Sequence, residues 1–426
     1  MTTMAVPLGK VFNARPAEVG AALAAFAYHF LLFTSYYILR PVRDSMGIEG
    51  GVRDLELLFW WVFGGMLIAV PLFGWISSRY RRAVFLPWTY IFFIVNLLAF
   101  WAAFRLLQDD LWAARIFFVW VSVFNLFVVS VFWSFMADTF SGDQGKRLFA
   151  LIAGGASMGA VTGSATTAFL AEQFGDFNLL LISDSLLAVT LAPMRWLMRW
   201  KGGTNDLESP QPDSQADQAL GGNPFSGIGM VFRSGYLGGI ALFVLCLVSV
   251  STILYMQQAE LLGSLIPDRS ERTGFLARID LVVNLCALGL QLLAVGRFVK
   301  RLGLSIMLPL VPLVMILGFT LLASYPGLWI LVAVYVARRI GEYAVAKPCR
   351  EMLFTAVPRE AKYKSKNFID TVVYRGGDAL SATAHGAAVS AFGLGLAGVA
   401  WLGAFVASLW AVLAFALGRE RDRRQD

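Results

Sequence analysis

Long apolar runs limit the fold of this chain more than any other feature. A helix that crosses a hydrocarbon layer needs roughly 20 apolar residues, and the sequence contains twelve runs of about that length or more. Lipid offers no hydrogen bonds to the backbone, so a spanning segment has to satisfy its own, as a helix does. Hydrophobic residues form 58% of the chain and charged residues 15%, unlike an ordinary soluble domain. The sequence therefore predicts an all-α membrane protein.

The twelve runs divide into two sets of six. A hydrophilic stretch at 201–227, rich in Gly, Pro, Ser, Asp and Gln, has the composition of a flexible linker. We expect an N-terminal six-helix half at 1–200 and a C-terminal six-helix half at 228–426. The predicted spans are 18–40, 57–77, 83–106, 112–138, 148–172, 177–197, 236–260, 274–296, 304–324, 328–356, 367–392 and 394–418.

Short matches between the halves indicate an internal repeat. The segment "GWISSRYRR" returns 222 residues later as "GRFVKRLGL", which aligns Gly74 with Gly296 and Arg79 with Arg301. At the same offset, the pair at 154–155 falls on the glycines at 376–377. Equivalent positions in a 6+6 arrangement favour a duplicated transporter fold with parallel halves.

Basic residues predict the orientation of the spans. They concentrate in the loops that share a side with both termini, and this bias is typical of the cytoplasmic side. We therefore expect both termini to be cytoplasmic. The first run is too long for a cleaved signal peptide, and no transit peptide is recognisable before it. The predicted location is a bacterial inner membrane.

The first predicted span ends in a group of charged residues around a proline. Tyr36, Arg40 and Arg43 fall on one helical stripe, and Pro41 between the arginines can kink or end the helix. One interpretation is that both arginines reach the outer lipid headgroups and that Asp44 pairs with one of them. The other is that this stripe binds a ligand.

The predicted tenth span carries more charge than a lipid-facing helix can carry. Ionised groups at this depth are expensive and need a partner, a cavity or a nearby interface, so this helix should line a polar cavity or a protein interior. Pro348 interrupts its hydrogen-bond ladder, as in the broken substrate-binding helices of transporters. The spacing of Arg338 and Glu342 predicts an ion pair. The other charged residues of the span are Arg339, Lys347, Arg350 and Glu351.

The eighth and eleventh spans also carry charges. For Arg278 and Asp280 we consider a mutual ion pair near the outer end, and for Asp370 and Arg375 a structural ion pair near the cytoplasmic end. Across the charged spans the basic candidates outnumber the acidic ones. That excess suits an anionic or zwitterionic substrate held by arginine forks.

Two further motifs bear on mechanism. The segment "GWISSRYRR" is similar to the loop signature of major facilitator transporters, although Ser78 stands where the signature has an acidic residue; Arg79 is therefore a gating candidate. Gly155, Gly159 and Gly163 recur every four residues on one helix face. This spacing predicts close helix packing, and a surface that slides during alternating access is compatible with it.

Three segments together resemble the non-mitochondrial ATP/ADP antiporters, the nucleotide transporters of plastids and obligate intracellular bacteria. They are "YYILRPVRD", "VFWSFMADTFSGDQGKRLF" and "PCREMLFTAVPREAKYKSKNFID". The resemblance implies that Arg43 and Arg375 contact the phosphates of a nucleotide. The family has acidic residues within its fourth and seventh helices, whereas here Asp138 and Glu260 stand only at the ends. We therefore expect a free-living bacterial branch of this family that carries a nucleotide or another anion.

These observations predict a secondary transporter that works by alternating access. The expected substrate-binding residues are Tyr36, Arg40, Arg43, Lys347, Arg350 and Arg375. Asp44 and Glu342 are candidates for proton coupling, because burial favours the neutral form of a carboxyl group; Arg338, Glu351, Asp370 and Arg79 are further coupling or gating candidates.

Two alternatives stay open within transport, namely a proton-coupled major facilitator exporter of an unrelated small molecule and a lipid translocator. An enzyme is not expected, because the chain has no phosphate-binding loop spacing and no HExxH motif. We expect no cofactor, no metal and no nucleic-acid partner. The predicted partners are a small anionic solute, with ATP or ADP as candidates, and the lipid bilayer, and the predicted state is a monomer.

Overall fold

The structure is a computed structural model that describes residues 15–80, 82–107, 110–204, 227–293 and 303–424, and every regular element in these ranges is helical. Ten of the helices are long and apolar enough to cross a membrane. They are α1 Val19–Glu49, α2 Gly51–Arg79, α3 Arg82–Leu106, α4 Leu111–Thr139, α5 Gly142–Phe174, α6 Asp176–Thr204, α8 Gly235–Leu265, α9 Arg269–Leu293, α10 Leu304–Ser324 and α15 Leu396–Arg423; a short α7, Ile228–Arg233, precedes α8.

Two further runs of helix are interrupted by π turns. In each run, a π turn joins two α-helices without a gap. Pro348 supplies no N–H for an α-helical bond, and the first π turn ends two residues before it, at Ala346. Such π turns occur often at functional sites. The runs are α11 Leu328–Gly341, π turn Glu342–Ala346 and α12 Lys347–Leu353, then α13 Arg359–Phe368, π turn Ile369–Val373 and α14 Tyr374–Ser390.

The first helix does not end where the sequence predicts. Instead of stopping near Arg40, α1 passes through Pro41 and continues to Glu49. The side chains of Arg40 and Arg43 are only 14% and 16% exposed. The interpretation that both arginines reach lipid headgroups at a helix end is therefore wrong. A proline removes one backbone hydrogen bond, and the packing around these residues stabilises the helix on both sides of it.

Several other boundaries differ from their predictions by a few residues. The predicted linker at 201–227 is helical up to Thr204, because α6 continues beyond its apolar run; most of the remainder lies outside the described residues. Gly296 and Arg301, which carry half of the predicted repeat, also lie outside them.

The chain divides into two compact units. Unit 1 consists of the described residues of Met1–Met46, Leu72–Gly221 and Asp268–Leu281, and unit 2 of those of Gly47–Pro71, Gly222–Pro267 and Val282–Asp426. The first part of α2 thus belongs to unit 2, and the first part of α9 to unit 1. In the sequence, α2 precedes residue 200 and α9 follows it. A division of the chain at that residue would therefore assign the first part of each of these helices to the wrong unit.

An aromatic core fills unit 1. Phe117, Phe124 and Phe132 on α4 are fully buried. Trp120 stacks on Phe124, with ring centroids 5.3 Å apart. Tyr28 of α1 contacts Phe132 edge to face at 4.9 Å, and its hydroxyl donates to the Tyr90 hydroxyl of α3 at 2.6 Å. Burying such rings stabilises the helix bundle through dispersion and specific ring geometry.

The glycine stripe of α5 packs against α1. A Cβ atom added to Gly155 or Gly163 would lie 2.5 Å from the carbonyl oxygen of Phe26 or Thr34, and Gly159 is equally close to the Phe30 carbonyl. No larger residue fits at these positions without a backbone shift. The predicted close packing is confirmed, and it holds α1 against α5 along three turns.

In unit 2, α10 and α15 make the most extensive helix pair. Gly403 of α15 lies against the buried ring of Phe319, and Gly418 lies against the backbone of Ser305. Trp410 is 1% exposed and contacts Phe243 of α8, with ring centroids 5.6 Å apart. Small residues on one helix and large rings on its neighbour give the close contact that membrane helices need.

The α1–α5 contact yields the first prediction. Replacing Gly159 by Ala should destabilise unit 1 by about 1–3 kcal/mol, because the methyl group would overlap the α1 backbone. The measurement is thermal unfolding of the purified protein in detergent.

Gly154→Ala is the matched control. An added Cβ at Gly154 would meet only a Phe26 ring atom at 3.9 Å, so its melting temperature should stay close to that of the wild type. Equal stability of the two variants would contradict the close-packing interpretation.

Candidate functional site

Four charged residues form a buried cluster in unit 1. Arg43 donates from Nε and Nη2 to Asp44 Oδ1 at 2.9 and 2.5 Å. The Nε of Arg40 lies 3.9 Å from Asp44 Oδ2 and 3.8 Å from Asp280 Oδ2 on α9. Two cations and two anions balance, so the cluster is close to neutral. We call it the α1–α9 cluster.

Aromatic and hydroxyl groups surround Arg43. Its guanidinium lies 5.1 Å from the ring centre of Phe118, and Nη1 donates to Ser122 Oγ at 3.4 Å. These contacts fix the plane of the guanidinium fork. Tyr36, one turn before Arg40, meets the Tyr37 ring edge to face at 5.3 Å.

The first part of α9 is bound to the rest of unit 1 by polar contacts. Arg269 forms a double hydrogen bond with Asp110 at 2.6 and 3.1 Å. Arg272 donates to the hydroxyl and carbonyl oxygens of Ser45, each at 3.0 Å. Thr273 donates to Asp176 Oδ2 at 3.0 Å. Four basic and hydroxyl groups thus attach this segment to four different parts of unit 1, the fourth being Arg278 bound to Glu172.

The Arg278–Glu172 ion pair corrects an expectation from sequence. The predicted pair was Arg278 with Asp280, but two residues apart on a helix they point in different directions. Arg278 binds Glu172 of α5, while Asp280 is buried and faces Arg40.

In unit 2, the predicted pair of Arg338 and Glu342 is confirmed, with Nη1 donating to Oε2 at 2.6 Å. Arg339 is 1% exposed, and its guanidinium lies 5.6 Å from the ring centres of both Tyr335 and Tyr343. It also donates to the Tyr343 hydroxyl at 3.3 Å. Cation–π contact on both sides compensates for the burial of this charge.

Ion pairs join α12 to the following helices. Arg350 is buried and lies 3.2 Å from Asp370 in the second π turn. Glu351 accepts from Lys366 of α13 at 2.6 Å. The expected pair of Asp370 and Arg375 is wrong, because the π turn redirects both side chains; Arg375 instead lies 3.4 Å from Asp378.

Asp378 also accepts a hydrogen bond from Thr252 of α8 at 3.0 Å. Tyr374 lies close enough to Glu342, Arg375 and Asp378 to interact with them electrostatically. The charges of α11, α12 and α14 therefore belong to one network, which we call the unit 2 network. Its members are Arg338, Arg339, Glu342, Lys347, Arg350, Glu351, Lys366, Asp370, Arg375 and Asp378.

The unit 2 network contains more cations than anions, in contrast to the α1–α9 cluster. It has six basic and four acidic members. Lys347 is exposed and forms no ion pair or hydrogen bond with any residue that the structure describes. Its ammonium group interacts with the carboxylates of Glu342 and Asp370 only through longer-range electrostatic attraction. The Nε atoms of Arg338 and Arg350 are buried and have no hydrogen-bond partner within the described ranges. This network can therefore accept a further anion.

Arg79 belongs to neither charged group. It is exposed at the end of α2, where its guanidinium lies 5.6 Å from the Trp75 ring centre. Within the described ranges, no group of three or more His, Cys, Asp or Glu side chains has the arrangement of a metal site.

Several polar residues that form contacts in unit 1 were not predicted from the sequence. Asp110, Asp176, Arg269 and Arg272 stand near predicted loops, where charges are common, so their pattern carried no signal. Asp184 is different, since it is an acidic residue inside an apolar run. A search for isolated charges in each predicted span would have found it.

Comparisons with known proteins agree on the class of fold. Residues 21–346 match a family model described as Major Facilitator Superfamily. Among solved structures, a mutant of the nucleoside transporter NupG has a TM-score of 0.65 and 15% identity, over 93% of this chain and 98% of that one. A POT family transporter in complex with 5-aminolevulinic acid has a TM-score of 0.63 and 14% identity, over 94% and 96%.

One curated relative matches by sequence. ADP,ATP carrier protein 2 of Chlamydia pneumoniae is 20% identical over 363 residues, which is 71% of this chain and 66% of the carrier. The aligned part thus covers slightly less than two thirds of that protein.

The Arg269–Asp110 contact predicts a pH dependence. Hydrogen bonds from Arg269 lower the pKa of Asp110, although partial burial opposes the shift. A carboxyl group with a lowered pKa in the folded state stabilises it above the unfolded pKa of about 3.9, and this stabilisation is lost as pH falls through the folded value. Asp110→Asn should therefore lower the melting temperature at neutral pH, and the difference from the wild type should shrink towards about pH 3.

Glu271→Gln serves as the control for this experiment, because Glu271 is an exposed acid in the first turn of α9, the helix that begins at Arg269. Its melting temperature should follow that of the wild type at each pH. A constant difference between Asp110→Asn and the wild type from neutral to acid pH would contradict the assigned role of the ion pair.

Proposed function

This chain belongs to the major facilitator superfamily, and we propose that it carries an anionic solute across the membrane by alternating access. It is a multi-pass membrane transporter and not an enzyme. The proposed substrate class is a nucleotide or a related phosphorylated anion.

The observation that carries this proposal is the excess of cations in the unit 2 network. Buried charges in membrane helices are expensive and mark substrate or ion pathways. Here most of them neutralise one another, but two cationic charges remain uncompensated, and the exposed ammonium group of Lys347 has no partner among the described residues. An incoming anion would supply the missing charge, and arginine forks are suited to carboxylate or phosphate groups.

The two π turns support the same site. The first π turn directly precedes Lys347 and the second contains Asp370, and their wider backbone redirects the side chains that follow them. Broken helices near charged groups are a common feature of transporter binding sites. Arg350 and Arg375, which the sequence also indicates as binding residues, stand on the segments that come after these turns.

Nucleotide as the substrate class is supported by the resemblance to ATP/ADP antiporters and by the similarity to the Chlamydia carrier. In this interpretation Arg43 and Arg375 contact phosphate groups. Both already have a carboxylate partner, Asp44 and Asp378, so a phosphate would have to compete with that partner. When a substrate phosphate replaces the carboxylate as the partner of the arginine, the ion pairs of the helix change. Substrate binding is thereby linked to conformational change.

Counting the two interrupted runs as spans would give twelve, in agreement with a 6+6 fold. A second point supports the repeat. Gly155 places α5 against α1, and Gly377, its partner at the offset of 222, lies against Leu245 of α8. In this arrangement both termini are cytoplasmic, and Arg79 stands at a cytoplasmic loop, where it is a gating candidate.

The substrate can be found with purified protein in liposomes. Uptake of labelled ATP, ADP, sugar phosphates and organic anions would be measured with and without the same compounds inside. Stimulation by an internal compound indicates exchange. If no anion moves, the proposed substrate class is wrong; lipid scrambling in the same vesicles would then favour lipid translocation.

Lys347 provides the first test of the site. Lys347→Gln should reduce uptake of the identified anion about 10-fold to 100-fold, because a hydrogen bond to a charged group contributes roughly 1.5–3 kcal/mol. The loss should appear mainly as a raised KM for the anion. The control Lys146→Gln removes an ammonium whose side chain is 80% exposed on α5, and it should leave uptake unchanged. Equal uptake by both variants would show that Lys347 is a surface residue that does not bind the anion.

A double substitution separates two roles of Arg43. As a phosphate contact, Arg43 is needed even when Asp44 is neutral, so Arg43→Gln and the double variant Arg43→Gln with Asp44→Asn should both abolish uptake. As a structural partner of Asp44, it becomes dispensable once that charge is removed, and the double variant should recover uptake. We expect the first result; melting temperatures of all variants show whether each one folds.

A further inference from the structure

Asp184 is a buried acid that the proposed binding site does not use. It lies in α6 eight residues after the first residue of that helix, which is about 12 Å along the axis. The surrounding segment, Asp176–Lys201, is one of the candidate membrane spans. The residue is 8% exposed, and its Oδ1 atom is buried and has no hydrogen-bond partner among the residues that the structure describes.

No charge in the described part of the chain compensates Asp184. It forms no ion pair or side-chain hydrogen bond there. The helices most in contact with α6 are α3, α4 and α5. In addition, α1 reaches α6 through Ser35, and α9 reaches it through Thr273, which donates to Asp176. Many titratable groups on these helices have other partners, namely Arg105 with Asn178, Tyr90 with Tyr28, Arg115 with Trp112, Lys146 with Asp143, Arg147 with Glu18, Glu172 with Arg278, His29 with Ile152, Arg40 with Asp280, Arg43 with Asp44, Arg269 with Asp110, and Arg272 with Ser45.

The neighbour of Asp184 links α6 to α1. The hydroxyl group of Ser183 donates to the Ser35 carbonyl oxygen at 3.0 Å, and the two hydroxyl oxygens lie 2.8 Å apart. Ser35 directly follows Thr34, which packs on Gly163 of α5. At this level α1 is therefore held from two sides, by a glycine contact and by a hydrogen-bonded serine pair.

We propose that Asp184 is a reversible proton-binding site of this transporter, which acts on α1 through the adjacent serine pair. This inference rests on the proposed function as a transporter. An ionised carboxylate at this depth would require an opposite charge or water, whereas the protonated form is an uncharged polar group that costs much less free energy to bury. Release of the proton would place an uncompensated charge one residue from Ser183 and favour a different packing of α6 on α1. Since α1 also carries Arg40, Arg43 and Asp44, proton occupancy at Asp184 would change the α1–α9 cluster.

Proton binding can be measured without knowing the transported anion. Infrared difference spectra of the purified protein, recorded while pH is changed from about 5 to 9, report protonated carboxyl groups through their C=O stretch. Among the bands that disappear reversibly as pH rises, we expect one that is missing in Asp184→Asn. The control Asp143→Asn removes a carboxylate that is 90% exposed, and it should keep the band.

Two results would overturn the proposal. One is a spectrum in which Asp184→Asn removes no titrating band, and the other is an Asp184 band that stays constant over the whole pH range, as a permanently protonated structural residue would give. If Asp184→Asn does not fold, Asp184→Glu keeps the carboxyl group and should shift the band instead; an unshifted band would equally overturn the assignment.

A transport experiment then tests the link to function. Uptake of the anion identified in the liposome screen, starting with ADP, should change about tenfold or more between pH 5 and pH 8 in the wild type and much less in Asp184→Asn. Equal pH profiles would refute the coupling. Failure of every anion to move would instead contradict the proposed function, while the infrared result would still decide whether Asp184 binds a proton.

Discussion

The cost of an ionised group in a hydrocarbon environment governs the interior of this protein. Almost every buried charge lies beside an opposite charge, an aromatic face or a hydroxyl group, since an unpaired ion at this depth would destabilise the helix that carries it. Arg40 and Arg43 share Asp44 and Asp280, and Arg339 is enclosed by two tyrosine rings. The departures from this rule therefore stand out as the positions with a function to explain: the cation excess around Lys347 and the isolated Asp184.

Close helix packing provides the second constraint, and it places the charged residues. Glycines on α5 allow α1 to approach at backbone distance, and the serine pair between α1 and α6 adds a polar contact at the same level. A helix held in this way has few alternative positions, so a change of charge along it is transmitted as a shift of the whole element rather than of one side chain.

Some parts of the candidate site could be predicted from sequence, and the reason is local spacing. Arg338 and Glu342 are four residues apart on a helix, so their ion pair follows from helical geometry alone. The partners of Asp370, Arg375 and Arg278 could not be predicted in this way. Two of these lie beside π turns, which change the direction of side chains, and the third pairs across helices that are distant in sequence. The predicted end of α1 near Arg40 was wrong. A proline in a sequence usually indicates a helix end, but here tertiary contacts stabilise the helix beyond Pro41.

The sequence by itself determined the class of the protein: apolar runs too long for a soluble domain, charges concentrated on a few of them, and motifs of transporter families. These properties depend on composition and on spacing within single helices. Tertiary structure alone decided which charges neutralise one another, because that depends on which helices touch. It gave the α1–α9 cluster a neutral balance, left the unit 2 network with an excess of cations, and buried Asp184 with no compensating charge among the residues described.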